Sequence, residues 1–98
     1  MRELKLARAA RSDLVEIRKY SVAEFGGDIA DIYFNGFNHA FARLQEHPLI
    51  GAIQRDFDHG LRCLTHRRHR IFYRVSDDAI IVLRILHHAR NAREILHP

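Results

Sequence analysis

Leu4 and Leu6 alternate with polar neighbours, which predicts a short opening strand over Glu3 to Ala7. From Ala9 the period changes. Ala10, Leu14, Ile17, Ser21 and Phe25 recur every three to four residues and mark the apolar stripe of a helix, with Arg11, Arg18 and Lys19 off that stripe. Gly26 and Gly27 end it, because glycine takes a left-handed cap conformation at little cost. Asp28 is then the expected N-cap of a second helix that carries Ile29, Tyr33, Phe37, Ala40, Phe41 and Leu44 and stops at His47-Pro48. So short a joint folds the two helices into an antiparallel hairpin.

Past Gly51 the pattern is undefined as far as Gly60, and then the period falls to two. Strands are expected at Leu61 to Thr65, His69 to Val75 and Ala79 to Leu86, with turns at Arg67-Arg68 and Ser76-Asp77-Asp78. The last strand is β-branched and almost wholly apolar, as befits the centre of a sheet, and a short terminal helix is expected at Ala92 to Leu96. This element order gives an α+β fold, with the helical hairpin packed on one face of a largely antiparallel sheet.

Strict alternation then assigns the two faces. Ile71, Tyr73 and Val75, with Ala79, Ile81, Leu83 and Ile85, should lie under the helices. The opposite face should carry Arg70, Phe72 and Arg74, then Ile80, Val82, Arg84, Leu86 and His88, joined by Arg62 and Leu64 if the preceding strand keeps register. Left uncovered, such a half-apolar, Arg-bearing face is a binding groove for an acidic partner. Alternatively, the Ala52–Gly60 loop or the C-terminal tail folds over it and leaves the arginines as a rim.

Composition narrows the setting. With 98 residues, 47% of them hydrophobic, the chain is expected to form one domain over 1–98 with its own core. Its one cysteine, Cys63, makes no internal disulfide, no signal-peptide pattern opens the chain, and the longest apolar run, Ala79 to Leu83, is too short to span a bilayer, so a cytoplasmic location is expected. The charge is lopsided. Residues 1–51 carry seven basic and seven acidic side chains and residues 52–98 nine and five, which places the whole net charge of +4 in the second half. Fourteen of the 16 basic residues are Arg, whose planar fork suits carboxylates and phosphates.

His87 and His88 close the last strand, where acid–base chemistry beside Arg70, Arg84 and Tyr73 would give a phosphodiester-cleaving site. Parity separates that set, sending His87 and Tyr73 toward the helices and His88, Arg70 and Arg84 away. His66, His69, His87 and His88 have no Cys pair beside them, so neither a metal site nor a cofactor is expected. Cys63 reads as a packing residue and not as a nucleophile.

The segments ARSDLVEIRKY (Ala10 to Tyr20), LQEHPLIG (Leu44 to Gly51), GLRCL (Gly60 to Leu64), HRIFYR (His69 to Arg74) and AIIVLRILHH (Ala79 to His88) resemble, in order and spacing, the ParE/RelE toxin superfamily. The H-x-I-F-Y-R strand and the R-I-L-H strand end are its most specific parts and favour the ParE branch. The resemblance implies the toxin of a type II toxin–antitoxin pair, neutralised by a ParD-like antitoxin whose flexible segment wraps it. ParE-like members poison DNA gyrase and RelE-like members cut mRNA on the ribosome. The nuclease set would fall on Arg70, Arg84 and His88. Ala89 stands where nucleases often place Tyr, no Lys follows Lys19, and Glu46 is the one candidate carboxylate base, so gyrase poisoning without catalysis is the favoured reading. The ParE pattern's Arg-Asp near the end is Arg90-Asn91 here. The resemblance agrees with the face read from parity, so Arg62, Arg70, Phe72, Arg74, Ile80, Val82, Arg84, Leu86 and His88, with Arg90, are expected to form the target- or antitoxin-binding face, and antitoxin contacts are expected at Leu14, Ile17 and Phe37 on the helices.

Overall fold

A computed structural model describes residues 1–57 and 60–96; residues 58 and 59, within the stretch whose pattern was undefined, and 97 and 98 lie outside the described residues. The elements run β1 (Glu3–Leu6), α1 (Arg8–Phe25), α2 (Gly27–Glu46), β2 (Ala52–Ile53), β3 (Arg62–His66), β4 (His69–Val75), β5 (Ala79–His87) and α3 (Ala92–Leu96). The α+β expectation therefore holds. β2 is an addition, two exposed residues that pair antiparallel with β3 inside the stretch where no pattern could be read.

One residue, Gly26, joins the two long helices, and its φ of 85° is the left-handed backbone that glycine accepts without strain. Gly26 is thus also the N-cap of α2, a role expected of Asp28. Asp28 instead sits in the first turn, where its charge complements the helix dipole. Arg18 of α1 donates to Asp31 of α2 at 2.7 Å and lies over the Phe34 ring, tying the hairpin together on its outer side.

The sheet order is β1-β5-β4-β3-β2, with β1 parallel to β5 and the remaining pairs antiparallel. β5 is an interior strand between β1 and β4 and packs on α1, whereas the centre of the sheet, expected for it from its apolar run, belongs to β4. The alternation of β5 is also broken. Phe72 pairs with Arg84 and Tyr73 with Val82, so Leu83 is an extra residue that reverses the parity of the strand.

The bulge overturns part of the expected face assignment. Ile80 and Val82 are fully buried against Phe37, Phe41 and Leu44 of α2, on the hairpin side, whereas Leu83 packs on the opposite face. Beyond the bulge the expectation for Ile85 and Leu86 stands, Ile85 facing the hairpin and Leu86 the other way. In β3, Arg62 pairs with Tyr73 and Leu64 with Ile71, so both also belong to the hairpin side and not to the open one.

The opposite face is not left bare. α3 crosses it, placing Ala92, Ile95 and Leu96 against Phe72, Leu86 and Leu61, while Phe57 meets the Phe72 ring edge-on. Loop and tail together cover the apolar residues that would otherwise have formed a patch. The complete burial of Phe72 and Leu86, which this cover finishes, is worth roughly 1.5–3 kcal/mol for each side chain. Among the described residues no helix is long and apolar enough to cross a membrane.

Candidate binding groove

With the expected groove filled by α3, the open concavity lies on the other side of β5, between the hairpin and the ends of β4 and β5. It encloses about 680 Å³. Ile17, Tyr20, Ser21 and Phe25 of α1 form one wall with Ile29 and Tyr33 of α2, and Arg68, His69, Ile85, His87, Ala89 and Arg90 form the other. It exists because β1 ends early. Its last pair is Leu6 with Val82, so the outer edge of β5 from Leu83 onward has no neighbouring strand.

Asp13 manages that edge. Its carboxylate accepts from the Ile85 backbone N–H at 2.8 Å and from Arg84 Nε and Nη2 at 2.8 and 2.9 Å. The pair is partly buried, and the hydrogen bonds to Asp13 hold the Arg84 guanidinium above its ordinary pKa. Arg84, expected on the open face among the binding and nuclease candidates, is therefore turned toward α1. No sequence pattern marked Asp13, because its partners lie more than 70 residues away.

At the inner end of the groove, Tyr33 and His69 are hydrogen bonded through the phenol and Nδ1. If the phenol donates, His69 is the neutral imidazole with its proton on Nε2. Burial, reinforced by His87, His66 and His88, lowers His69 to about 4. Burial likewise raises Tyr33, opposed by an Arg68 backbone hydrogen bond and the Arg67 and Arg68 charges. The rings of His69 and His87 meet edge-on at 5.4 Å, and His88 lies 4.3 Å beyond. The His66 ring lies tilted against Phe37, 4.8 Å between centroids. Among the described residues no cluster of His, Cys, Asp or Glu has the arrangement of a metal site.

The structure thus separates the nuclease candidates. Arg84 is fixed to Asp13; Arg70 lies over the Phe72 ring and donates to the Arg90 carbonyl at 2.8 Å; His88 is exposed at the strand end. Of the helical contacts expected for a partner, Ile17 lines the groove, Leu14 packs against the core and Phe37 is 1% exposed. Phe37 is therefore core, since it faces His66 and Tyr33 beneath the groove floor. The pattern did not show that Phe25 and Ile29 stay 55% and 54% exposed at the hairpin tip. Their place beside Gly26-Gly27 was the available signal, because side chains at the end of a hairpin run past the sheet that would cover them. Cys63 is half-buried, and burial pushes its thiol up, away from nucleophilic use.

A model of the family described as the ParE toxin of type II toxin–antitoxin systems, parDE, matches residues 4–92. Toxin ParE1 of Caulobacter vibrioides is 31% identical over 93 residues, spanning 95% of this chain and 96% of that one. Toxin ParE1 of Mycobacterium tuberculosis is 35% identical over 83 residues, spanning 84% and 85%. Among solved structures, a chain of the chromosomal ParDE system from P. aeruginosa superposes with a TM-score of 0.76 at 28% identity, covering 89% of this chain and 96% of that one. A chain of the toxin–antitoxin complex RelBE2 of M. tuberculosis superposes with a TM-score of 0.60 at 24% identity, over 88% and 96%. The latter likeness is one of fold.

Proposed function

Starting from the fact that the chain belongs to the ParE toxin family of type II toxin–antitoxin systems, we propose that it poisons DNA gyrase and is neutralised by a ParD-like antitoxin. The groove carries the second half of this reading. An open trough with apolar walls and a basic end suits an amphipathic segment that folds on binding and brings its own carboxylates. The apolar anchors are Ile17, Phe25 and Ile29. The gyrase half is favoured over mRNA cleavage by the separation of Arg70, Arg84 and His88, of which Arg84 already serves Asp13.

The test is a gyrase supercoiling and DNA-cleavage assay run beside mRNA cleavage on programmed ribosomes, with and without the antitoxin encoded next to the toxin. Gyrase-dependent cleaved DNA with intact mRNA, suppressed by antitoxin, is the expected result. Cut mRNA with normal supercoiling would overturn it and make the protein a ribosome-dependent endonuclease.

A further inference from the structure

The two ends of the groove differ in chemistry. At the hairpin tip Tyr20, Phe25 and Ile29 present apolar surface. At the β4–β5 end Arg68 and Arg90 line it together with His87, and neither guanidinium meets a carboxylate among the described residues. The two acids of the lining are otherwise engaged, Asp13 by Arg84 and the Ile85 N–H, and Glu16 with Lys19 at 3.7 Å. This leaves an uncompensated positive end.

Both arginines are held in place by their backbones. His88 N donates to the Arg68 carbonyl at 2.8 Å, Arg90 N to the His87 carbonyl at 2.9 Å, and Arg70 Nη2 to the Arg90 carbonyl at 2.8 Å. Arg67 before them takes a φ of 53°, which closes the tight β3–β4 turn from which Arg68 projects. The lost freedom of the backbone is thus already met before any ligand arrives, which favours a fixed recognition point over a diffuse charge.

We propose that Arg68 and Arg90 form a carboxylate-anchoring subsite that sets the direction of the antitoxin segment in the groove. The segment lies with its apolar residues at the hairpin tip and an Asp, Glu or terminal carboxylate between the two guanidiniums. This rests on the reading that the groove takes the antitoxin. A carboxylate fits better than a nucleic-acid phosphate because the rest of the trough is apolar and offers the flanking backbone no further cations.

The purified toxin and the neighbouring antitoxin are titrated against each other at low and high salt, for wild type, for Arg68→Glu with Arg90→Glu, and for Phe25→Ser with Ile29→Ser. Circular dichroism checks that each variant is folded. The charge reversal is expected to weaken binding by about 100-fold at low salt and to remove most of the salt dependence. Reversing the matching antitoxin carboxylate to Lys should restore much of the loss. Unchanged affinity and salt dependence in the charge-reversed toxin, with the tip variant impaired, would overturn the subsite and leave the groove standing. If neither variant differs from wild type, the groove reading falls with it. Loss of binding to a short oligonucleotide, with the antitoxin unaffected, would also overturn the proposal and assign the arginines to phosphate.

Discussion

At Gly51 an added Cβ would come within 2.6 Å of Tyr73 Oη and 2.9 Å of the Cys63 carbonyl oxygen, and the second of these atoms is backbone that cannot step aside. Gly51→Ala is therefore expected to cost about 2 kcal/mol, read as a lower denaturation midpoint with unchanged slope. Tyr73 itself, expected from parity to face the helices, does so and staples the segment after α2. Its hydroxyl donates to the Pro48 carbonyl and accepts from Gly51 N, each at 2.8 Å. Tyr73→Phe should cost about 1–3 kcal/mol through those two backbone groups alone. Asp13→Ala should cost a similar amount by leaving the Arg84 guanidinium and the Ile85 N–H without a partner. Losing Arg84 as well should add less than its own single cost, because the two side chains share one interaction. A double-mutant cycle that shows full additivity would contradict the clamp.

Elements were more legible than faces. Helix lengths, the Gly26 joint, the three main strands and the terminal helix all follow from period and punctuation, because those signals are local. The side on which Ile80 and Val82 lie does not. It depends on one extra residue at Leu83, and a bulge in an unbroken apolar run leaves no mark in the alternation. The groove was hidden for the same reason, since it arises where β1 stops pairing, a fact about two strands and not about either sequence. α3 illustrates the converse. It was visible as a helix but not as a lid on Phe72 and Leu86. Removing residues 91–98 should therefore raise binding of a hydrophobic dye and lower the melting temperature. A truncated protein as stable as the full chain would show that Ala92, Ile95 and Leu96 contribute little.

For the whole molecule, pH acts mainly through the imidazoles under the groove. His69 falls from 6.5 to about 4, first through burial and then through His87, so it binds a proton more weakly in the folded protein than in the unfolded chain. Stability is thus fully present above pH 6.5 and declines as the pH drops toward 4, by on the order of 1 kcal/mol once the half-exposed ring is discounted for solvent screening. His66 and His87, also lowered, act with the same sign. His69→Gln, which keeps an acceptor for Tyr33 but cannot titrate, should give a shallower fall of melting temperature between those pH values. An identical slope would remove His69 as the cause.

The parallel pairing of β1 with β5 also has a bearing on synthesis. Glu3 to Leu6 leave the ribosome long before their partners Ala79 to Val82, so β1 must wait for β5 before it can bond. Such distant pairing makes folding slow, and the last strand to arrive supplies one wall of the groove. The groove is therefore finished only once β5 has been made, so that any occupant of it must bind after synthesis has passed His87.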